Sequence, residues 1–387
     1  MKKYLEADDI QLVFSGKNYF ELLEKIIHES KEILHLQTYI FETDETGLKV
    51  IKNLKQAVAR GVRVVVLADA YGSFPFKKEI QKDLIASGIQ FRLYSPLFSS
   101  ESIFFGRRLH HKIVVADKNI ALIGGINVAN KYNSGQEEQA WLDYAVLVKG
   151  NVCEYLDILC DTVYRKKSRS KLNFWENEIH KKRASDHHSL IRFRRNDFIK
   201  QKNEIHQSYL QSIIRAENSI VIVASYFLPG NYFRRILRLA AARGVKIKII
   251  LAGKSDVSSV KLAQNYLYEF YLKNNIQLYE WQNSILHGKA MMIDNTWATI
   301  GSYNLNFLSH YISIELNADI IDKKFMRDFS SHIDKIISDS CTQVDLDKTT
   351  KNLNVFGKLK MKLAYIFHRT IMNIVMMGRK HKKRKHN

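Results

Sequence analysis

The residues best suited to chemistry in this chain are two histidines that each stand two positions before a lysine. Each pair belongs to a motif of the form His-x-Lys-x-x-x-x-Asp, and the members are His110, Lys112 and Asp117 in the first copy and His287, Lys289 and Asp294 in the second. On a strand, residues two positions apart share a face, so the imidazole and the ammonium of each motif converge on one spot. Each motif therefore combines a nucleophile or proton carrier with a fixed positive charge.

A glycine-containing turn follows each motif and ends in an asparagine. The first turn reads Gly-Gly-Ile-Asn and ends at Asn127, and the second reads Gly-Ser-Tyr-Asn and ends at Asn304. Because the backbone can approach a ligand closely at such a turn, we expect the amides of Asn127 and Asn304 and the hydroxyl of Ser302 to bind substrate. Gly125 occupies the place of Ser302 in the first copy, which therefore lacks that hydroxyl donor.

Two such copies packed face to face would form a pocket rich in positive charge and hydrogen-bond donors. A pocket of this kind suits a phosphoryl group, because preorganised donors typically lower the barrier by about 2.7 to 4 kcal/mol each. One imidazole would attack phosphorus, and the other would protonate the departing alkoxide and then activate the acceptor hydroxyl. This chemistry requires no metal ion, and we expect no metal site and no cofactor.

The elements that must position the motifs also occur twice. In each half an apolar strand is followed by a helix ending in Ala-Arg-Gly-Val, a second strand, a second helix and a third strand. The Arg-Gly landmark stands at Arg60 and Arg243, and an Ile-Gln landmark at Ile89 and Ile276. The same order of landmarks recurs after about half of the chain, which indicates a long internal repeat.

This alternation of strands and helices predicts an α/β fold. We expect two tandem repeats, each a mixed sheet flanked by helices, that pack as a pseudo-twofold pair around one active site. The predicted boundaries are 1–160 for the first domain, 161–205 for a basic linker or surface segment, 206–345 for the second domain and 346–387 for a basic tail. Whether the linker charges are merely solvated or contact lipid headgroups stays open.

Length and composition agree with two globular domains. The chain has 387 residues, whereas a single hydrophobic core stops growing at about 250 to 300 residues. Hydrophobic residues make up 46%, which is typical of a globular protein and excludes a disordered or collagen-like chain. Only three cysteines are present, without C-x-x-C spacing, so we expect neither a disulfide framework nor a thiolate metal site.

The net charge of +21 would attract the protein to nucleic acid, to an anionic membrane or to a phosphorylated substrate. The first residues turn acidic where a secretory signal would be apolar, and no uninterrupted apolar run is long enough to span a bilayer. We therefore expect a protein without a transmembrane span that stays on the cytosolic side.

The two motifs resemble the signature of the phospholipase D superfamily. Within it, the chain is most similar to the bacterial cardiolipin synthases without N-terminal membrane helices, the cardiolipin synthase B group. The likeness extends over nearly the whole chain and includes residues 36–41, 224–230 and 297–306 and the basic tail. The resemblance implies two phospholipase D-like domains with one shared active site.

The resemblance also implies roles for single residues. His110 would be the nucleophile, and His287 would be the general acid and base. The imidazoles would be oriented by carboxylates further along the chain, for which Asp143 and Glu315 are the candidates, while the motif aspartates tend to be structural. A carboxylate that accepts the Nδ1 proton leaves Nε2 as the attacking nitrogen.

The function that this resemblance implies is synthesis of cardiolipin. A phosphatidyl group would pass from one phospholipid, expected to be phosphatidylglycerol, to His110 and then to a second phosphatidylglycerol, with release of glycerol. Three alternatives stay open: a phospholipase D-type hydrolase or another phosphatidyltransferase, a nuclease that uses the same motifs, and a basic membrane-binding scaffold without activity. The expected partner is an anionic phospholipid membrane, without nucleic acid or an obligate protein partner, at the cytoplasmic face of the bacterial inner membrane.

The last segment of the chain mixes apolar and basic residues. Residues 355–377 alternate between the two types, and residues 379–386 are almost entirely basic. This pattern predicts an amphipathic helix that lies in the membrane interface with its cations near anionic headgroups. The alternative is a helix packed on the protein with a frayed basic end.

Overall fold

Two sheets with flanking helices form the core of the protein. The computed structural model describes residues 4–74, 76–95, 107–133, 139–165, 189–197, 202–306, 313–346 and 355–383, with side chains up to residue 371 in the last range. Most of the expected linker, residues 166–188, lies outside these ranges, as do the last basic residues of the tail, 384–387.

The described residues of the first half form nine strands, of which seven belong to one sheet. The strands are β1 (Leu5–Glu6), β2 (Asp9–Phe14), β3 (Ile33–Thr38), β4 (Arg63–Asp69), β5 (Gln90–Tyr94), β6 (Arg108–Leu109), β7 (Lys112–Ala116), β8 (Ile120–Gly124) and β9 (Tyr144–Lys149). Their order in the sheet is β2-β9-β8-β7-β3-β4-β5, and β3, β4 and β5 are parallel. The other pairs are antiparallel, so the sheet is mixed.

The second half repeats this arrangement. Its strands are β10 (Leu190–Asp197), β11 (Lys202–Asn203), β12 (Ser219–Ala224), β13 (Lys246–Ala252), β14 (Gln277–Trp281), β15 (Lys289–Ile293), β16 (Trp297–Gly301), β17 (Ser313–Ile321) and β18 (Cys341–Gln343). The order β10-β17-β16-β15-β12-β13-β14 matches that of the first sheet strand for strand. The prediction of two tandem α/β repeats is confirmed.

The match corrects one expected boundary. Strand β10 falls within residues 161–205, which were expected to be a linker, yet it is the counterpart of β2 and pairs with β17 along its whole length. Its basic residues are not solvated, because Arg192 and Arg194 are buried against Asp319. The second repeat therefore begins at β10. The local sequence did not predict this strand, because the arginines of its buried ion pairs are also typical of a charged surface segment.

Helices flank both sheets. They are α1 (Lys17–Glu29), α2 (Glu45–Ala59), α3 (Lys78–Ala86), α4 (Cys153–Tyr164), α5 (Glu204–Arg215), α6 (Asn231–Ala242), α7 (Ser258–Tyr266), α8 (Tyr268–Leu272), α9 (Lys323–Ser340) and α10 (Val355–Lys383). Helices α4 and α9 also contribute to the core between the repeats. In α6 the residues at positions 233, 236, 237 and 240 are buried, a spacing that lies on one helix face. None of the described helices is long and apolar enough to cross a membrane.

The two repeats share one hydrophobic core at their interface. Tyr144 of the first repeat packs edge-on against Phe329 of the second, with ring centroids 5.8 Å apart. Gly288, between the two motif residues of the second repeat, lies so close to Tyr144 that a Cβ atom would approach the ring to 2.6 Å. Strands also cross the boundary, since β1 pairs with β10 and β6 pairs with β17. The halves are thus one folded unit.

The motif aspartates, which belong to the two motifs expected to do chemistry, hold backbone in place at the far ends of their strands. Asp117 follows β7 in a turn with a positive φ of 50° and accepts hydrogen bonds from the backbone N–H groups of residues 31, 32 and 33 at 2.8 to 3.0 Å. Asp294 does the same for residues 217, 218 and 219. The length of a strand separates each aspartate from its histidine, so the structure removes Asp117 and Asp294 from the catalytic group.

Replacing Asp117 by alanine should lower the free energy of unfolding by about 1 to 3 kcal/mol, because three backbone donors lose a charged acceptor. Urea unfolding followed by circular dichroism measures the change. Lys118→Ala is the matched control, since Lys118 is exposed in the same turn, and it should stay within about 0.5 kcal/mol of wild type. Equal destabilisation by the two substitutions would contradict this role.

Candidate active site

The two histidines lie where the repeats meet, and each is held by the backbone of the opposite repeat. The His110 N–H donates to the carbonyl of Ile314 in β17 at 3.0 Å. The N–H groups of His287 and Gly288 both donate to the carbonyl of Leu142, at 2.7 and 3.0 Å. Docking of the two halves therefore sets the position of both imidazoles.

The carboxylates expected to orient the histidines contact them across the same boundary. His110 Nδ1 lies 2.9 Å from Glu315 Oε2, and His287 Nδ1 lies 2.6 Å from Asp143 Oδ2. Both carboxylates are fully buried. Because an ionised carboxylate only accepts hydrogen bonds, the Nδ1 proton of each ring is the donor and Nε2 is left for chemistry. Each histidine takes its carboxylate from the other repeat.

Burial keeps both imidazoles in their neutral form. Desolvation lowers the pKa of His110 despite the opposing effect of Glu315, and it lowers the pKa of His287 well below its usual value. Lys289, Lys112 and His110 add to the depression of the His287 pKa. These mutual effects show that groups of both motifs act on one pocket.

The motif lysines are buried beside the histidines. Lys112 Nζ donates to the backbone carbonyl of His110 at 2.6 Å, and Lys289 Nζ lies 2.7 Å from His287 Nδ1. Desolvation lowers the pKa of Lys112 to about 7 and that of Lys289 to about 8. Burial likewise raises the pKa of Asp143 to about 6. The two lysines thus balance the two carboxylates in formal charge at most, and their Nζ groups supply hydrogen-bond donors for an anionic ligand.

The two asparagines expected to bind substrate differ in how far the protein itself uses their amides. Asn127 is fully buried, its Oδ1 accepts from the Ile40 N–H at 3.0 Å, and its Nδ2 donates to the Tyr132 hydroxyl at 2.8 Å. Asn304 Oδ1 accepts from the Ser225 hydroxyl at 3.0 Å. The structure therefore corrects the expected role of Asn127, whose amide fixes the loop that follows β3. Substrate binding by Asn304 stays a prediction, because only its Oδ1 has a hydrogen-bond partner among the described residues.

Ser302 also differs from its expected role in substrate binding. Its hydroxyl is fully buried and donates to Glu315 Oε2 at 2.5 Å, so it supports the carboxylate that contacts His110. Gly125, its counterpart, lies so close to Asp143 that a Cβ atom would approach Oδ1 to 2.2 Å. The absent hydroxyl in the first repeat is thus explained by the space that Asp143 requires.

Aromatic rings surround the histidines. The motif pattern did not predict that these rings belong to the site. The ring of Tyr39 lies 4.9 Å from that of His110, and those of Tyr132, Trp141 and Tyr226 lie 5.4 to 6.2 Å from His287. Tyr39 and Tyr226 occupy equivalent places in the repeats, directly after Thr38 and Ser225. That equivalence is the signal that could have identified them. The rings make the walls of the pocket apolar around its charged groups.

Metal-binding groups are not found in the part of the chain that the structure describes. No set of three or more histidine, cysteine or carboxylate side chains in these ranges has a geometry that could hold an ion. The three cysteines, all within the described ranges, are unpaired.

Cardiolipin synthases of several bacteria are similar in sequence to this chain over most of its length. The chain is 35% identical over 347 residues to cardiolipin synthase B of Escherichia coli K12 and of Shigella flexneri, which is 88% of this chain and 83% of each relative. It is 34% identical over 371 residues to cardiolipin synthase B of Salmonella typhi, covering 94% of this chain and 88% of that protein.

The fold is similar to that of a solved enzyme. The crystal structure of phosphatidylserine synthase from Haemophilus influenzae matches with a TM-score of 0.74 over 96% of both chains, at 14% identity. The family described as "Cardiolipin synthase, PLD-like domain" matches residues 23–156 and 209–337, which carry one histidine motif each. The chain therefore belongs to the family of cardiolipin synthases built from two phospholipase D-like domains.

Proposed function

We propose that the protein joins two phosphatidylglycerol molecules into cardiolipin and releases glycerol, through a phosphatidyl group held on His110. The observation that carries this proposal is the pair of imidazoles with lowered pKa values, each fixed through Nδ1 by a buried carboxylate, which leaves Nε2 free beside the buried lysines Lys112 and Lys289. Membership of the cardiolipin synthase family supports the same reaction.

In the first step His110 Nε2 attacks phosphorus of the donor lipid. A P–N bond forms, the bond from phosphorus to the headgroup oxygen breaks, and the glycerol alkoxide takes a proton from His287. His287 is neutral in the empty pocket, but a bound phosphodiester anion raises its pKa and so favours the protonated form that the step requires. Glu315 stabilises the positive charge that develops on the His110 ring.

In the second step a hydroxyl of the acceptor lipid attacks the phosphatidyl-histidine. His287 removes the hydroxyl proton, the new P–O bond forms, and the P–N bond to His110 breaks. Lys112 and Lys289 stabilise the charge on the phosphoryl oxygens in both transition states. Asp143 holds the His287 ring in the orientation that both proton transfers need.

The aromatic walls favour an alcohol over water as the acceptor. Tyr132 and Trp141 close around His287 with apolar ring surface, and the Tyr226 hydroxyl is occupied by hydrogen bonds of 2.8 and 2.6 Å to Asp256. Water gains little hydrogen bonding at such a surface, whereas the glycerol and acyl parts of a lipid pack against it. This is the support for transfer over hydrolysis.

We further propose that the C-terminal helix α10 attaches the enzyme to an anionic membrane. One face of α10 packs on the protein, where Tyr365 stacks on Tyr266 with ring centroids 5.0 Å apart. Another face exposes an apolar stripe whose side chains are 45 to 81% accessible: Phe356, Leu359, Leu363, Ile366 and Phe367. A helix in the membrane interface and a helix packed on the protein are therefore compatible alternatives for the tail, because they use different faces of α10.

Cations beside the stripe support a bilayer as its occupant. Lys358, Lys362 and Arg369 lie on α10 between the packed face and the stripe, at spacings that align them along the helix. A helix with an apolar face and flanking cations binds at the level of the headgroups, with about 1 kcal/mol from each cation near an anionic surface. The location at the cytoplasmic face stays a prediction.

Purified protein incubated with labelled phosphatidylglycerol should yield cardiolipin and glycerol in equal amounts. Phosphatidic acid as the main product would show a hydrolase instead and contradict the proposal.

His110→Ala should form no covalent phosphatidyl-enzyme. His287→Ala should be slowed by about 10² to 10⁴ with a glycerol leaving group, yet it should load rapidly from a nitrophenyl ester, whose leaving group needs no proton. The reverse pattern in the two variants would exchange the roles of the histidines.

The pH dependence of kcat/KM should be bell-shaped with a maximum between about 6 and about 7. Below that range Asp143 is protonated and no longer holds the His287 ring, and above it Lys112 and then Lys289 lose their charge. Initial rates with a soluble nitrophenyl phosphodiester measure this without titrating a membrane. In the profile of kcat the alkaline limb should move to higher pH, because the bound anion raises the lysine pKa values. A kcat/KM that is constant from about pH 6 to 9 would contradict these assignments.

Membrane attachment is tested by polar substitutions in the stripe. Phe356→Ser together with Phe367→Ser should weaken binding to anionic vesicles by about tenfold or more, because two large apolar side chains no longer leave water. Vesicle sedimentation measures the binding. Ile85→Ser is the matched control, since Ile85 is 57% exposed on α3, and it should bind as wild type does. Unchanged binding of the double variant would remove α10 from the membrane contact.

A further inference from the structure

A basic groove lies outside the catalytic pocket, between α6 and the C-terminal helix α10. It encloses about 440 Å³, a volume in the range of small-ligand sites. Its polar lining consists of Asn231, Arg234, Arg235 and Arg238 of α6 and Arg369 of α10. The α6 residues follow the spacing i, i+3, i+4 and i+7, so they form one helix face. We refer to this site as the arginine groove.

One guanidinium of the groove is held in a fixed position. Arg234 Nη2 donates to Tyr365 Oη at 3.0 Å and to Asn231 Oδ1 at 2.5 Å. Its guanidinium also lies over the rings of Phe270 and Tyr365, at 5.5 and 5.8 Å from the ring centroids. Arg234 Nε is buried and has no hydrogen-bond partner among the described residues. A planar donor group that is already oriented loses little entropy when it binds an anion.

The described part of the chain supplies no carboxylate that balances the charge of the groove. In the described ranges, no carboxylate forms an ion pair with any of the four arginines, and Glu269, on the neighbouring α8, is paired with Lys273 at 2.6 Å. Arg235, Arg238 and Arg369 are exposed and so are accessible to a ligand. Several guanidiniums around one cavity favour an anion that accepts many hydrogen bonds, as a phosphate does.

The surroundings of the groove indicate which phosphate compound fits. Arg369 lies on the flank of α10 next to the exposed stripe that contains Ile366 and Phe367. A free phosphate would contact only the guanidiniums, whereas a phospholipid would place its phosphate in the groove and its acyl chains along the stripe. We propose that the arginine groove binds the headgroup phosphate of an anionic phospholipid in the bilayer, at a site separate from the catalytic pocket.

Binding there would also orient the active site toward the membrane. Helix α6 begins shortly after Tyr226, whose ring packs against His287, and α7, on which α10 packs, begins shortly after Asp256, the partner of Tyr226. A lipid held between α6 and α10 thus contacts a helix that directly follows, along the chain, the segment of Tyr226 in the catalytic pocket. This inference rests on the proposed membrane attachment, but it does not depend on which lipid is the acceptor.

Two double variants with the same loss of charge test the proposal. Arg235→Gln/Arg238→Gln changes the groove, and Arg215→Gln/Arg327→Gln removes two exposed arginines elsewhere. Sedimentation with phosphatidylcholine vesicles that contain phosphatidylglycerol measures affinity at fixed ionic strength. The groove variant should lose about tenfold more affinity than the control variant, the equivalent of about 1.4 kcal/mol. Equal losses would mean that the arginines act only through net charge and would overturn the proposal.

Two further measurements identify the occupant and separate this site from catalysis. Inorganic phosphate should not release wild-type protein from the vesicles more than chloride at the same ionic strength, and selective release by phosphate would assign the groove to free phosphate instead. Turnover of a soluble nitrophenyl phosphodiester should be equal in wild type and in both variants, because this substrate needs only the catalytic pocket. Failure of the wild type to turn it over would count against the proposed reaction, while the vesicle measurement would still test the groove.

Discussion

Two buried hydrogen bonds between a histidine and a carboxylate of the opposite repeat are the constraint on which the rest of the structure depends. Glu315 and Asp143 are removed from water, and a buried carboxylate is stable only when it is paired or hydrogen-bonded. Each finds its partner only after the halves have docked. The shared core around Tyr144, the crossing strands β1 and β6, and the backbone bonds of both histidines hold the halves in that position. One active site therefore requires two repeats.

The same burial determines the chemistry that the pocket can perform. Desolvation lowers the pKa values of both histidines and both lysines and raises that of Asp143, so these five groups are all shifted toward their neutral forms. An anionic phosphodiester reverses this effect for the cationic groups, because it stabilises their charge. The charged forms of these groups are thus disfavoured in the empty pocket, and an anionic substrate would supply the missing counter-charge for the cationic ones. In the proposed mechanism, binding of the anionic substrate therefore also favours the protonated His287 that acts as the general acid.

The supports behind the catalytic groups differ between the repeats although the chain duplicates its fold. A longer carboxylate, Glu315, is steadied by the hydroxyl of Ser302, while the shorter Asp143 lies against Gly125, where no side chain would fit. In each repeat the carboxylate and the residue beside it lie on neighbouring antiparallel strands. The backbone N–H groups of Ser302 and Gly125 donate to the backbone carbonyl of the residue that follows the carboxylate. The two halves have thus reached the same contact with histidine by different side chains, which is consistent with separate roles for His110 and His287.

The sequence by itself determined the repeat, the α/β class and the convergence of each histidine with its lysine, because these follow from local periodicity and from spacings of a few residues. It also named Asp143 and Glu315, but not which histidine each contacts, since those bonds join residues 144 and 205 positions apart. Only the tertiary structure decided this crossing, the buried roles of Asn127 and Ser302, and the place of β10 in the second sheet. Each depends on which surfaces meet when the repeats dock, and that is fixed by packing over the whole interface, which no local pattern encodes.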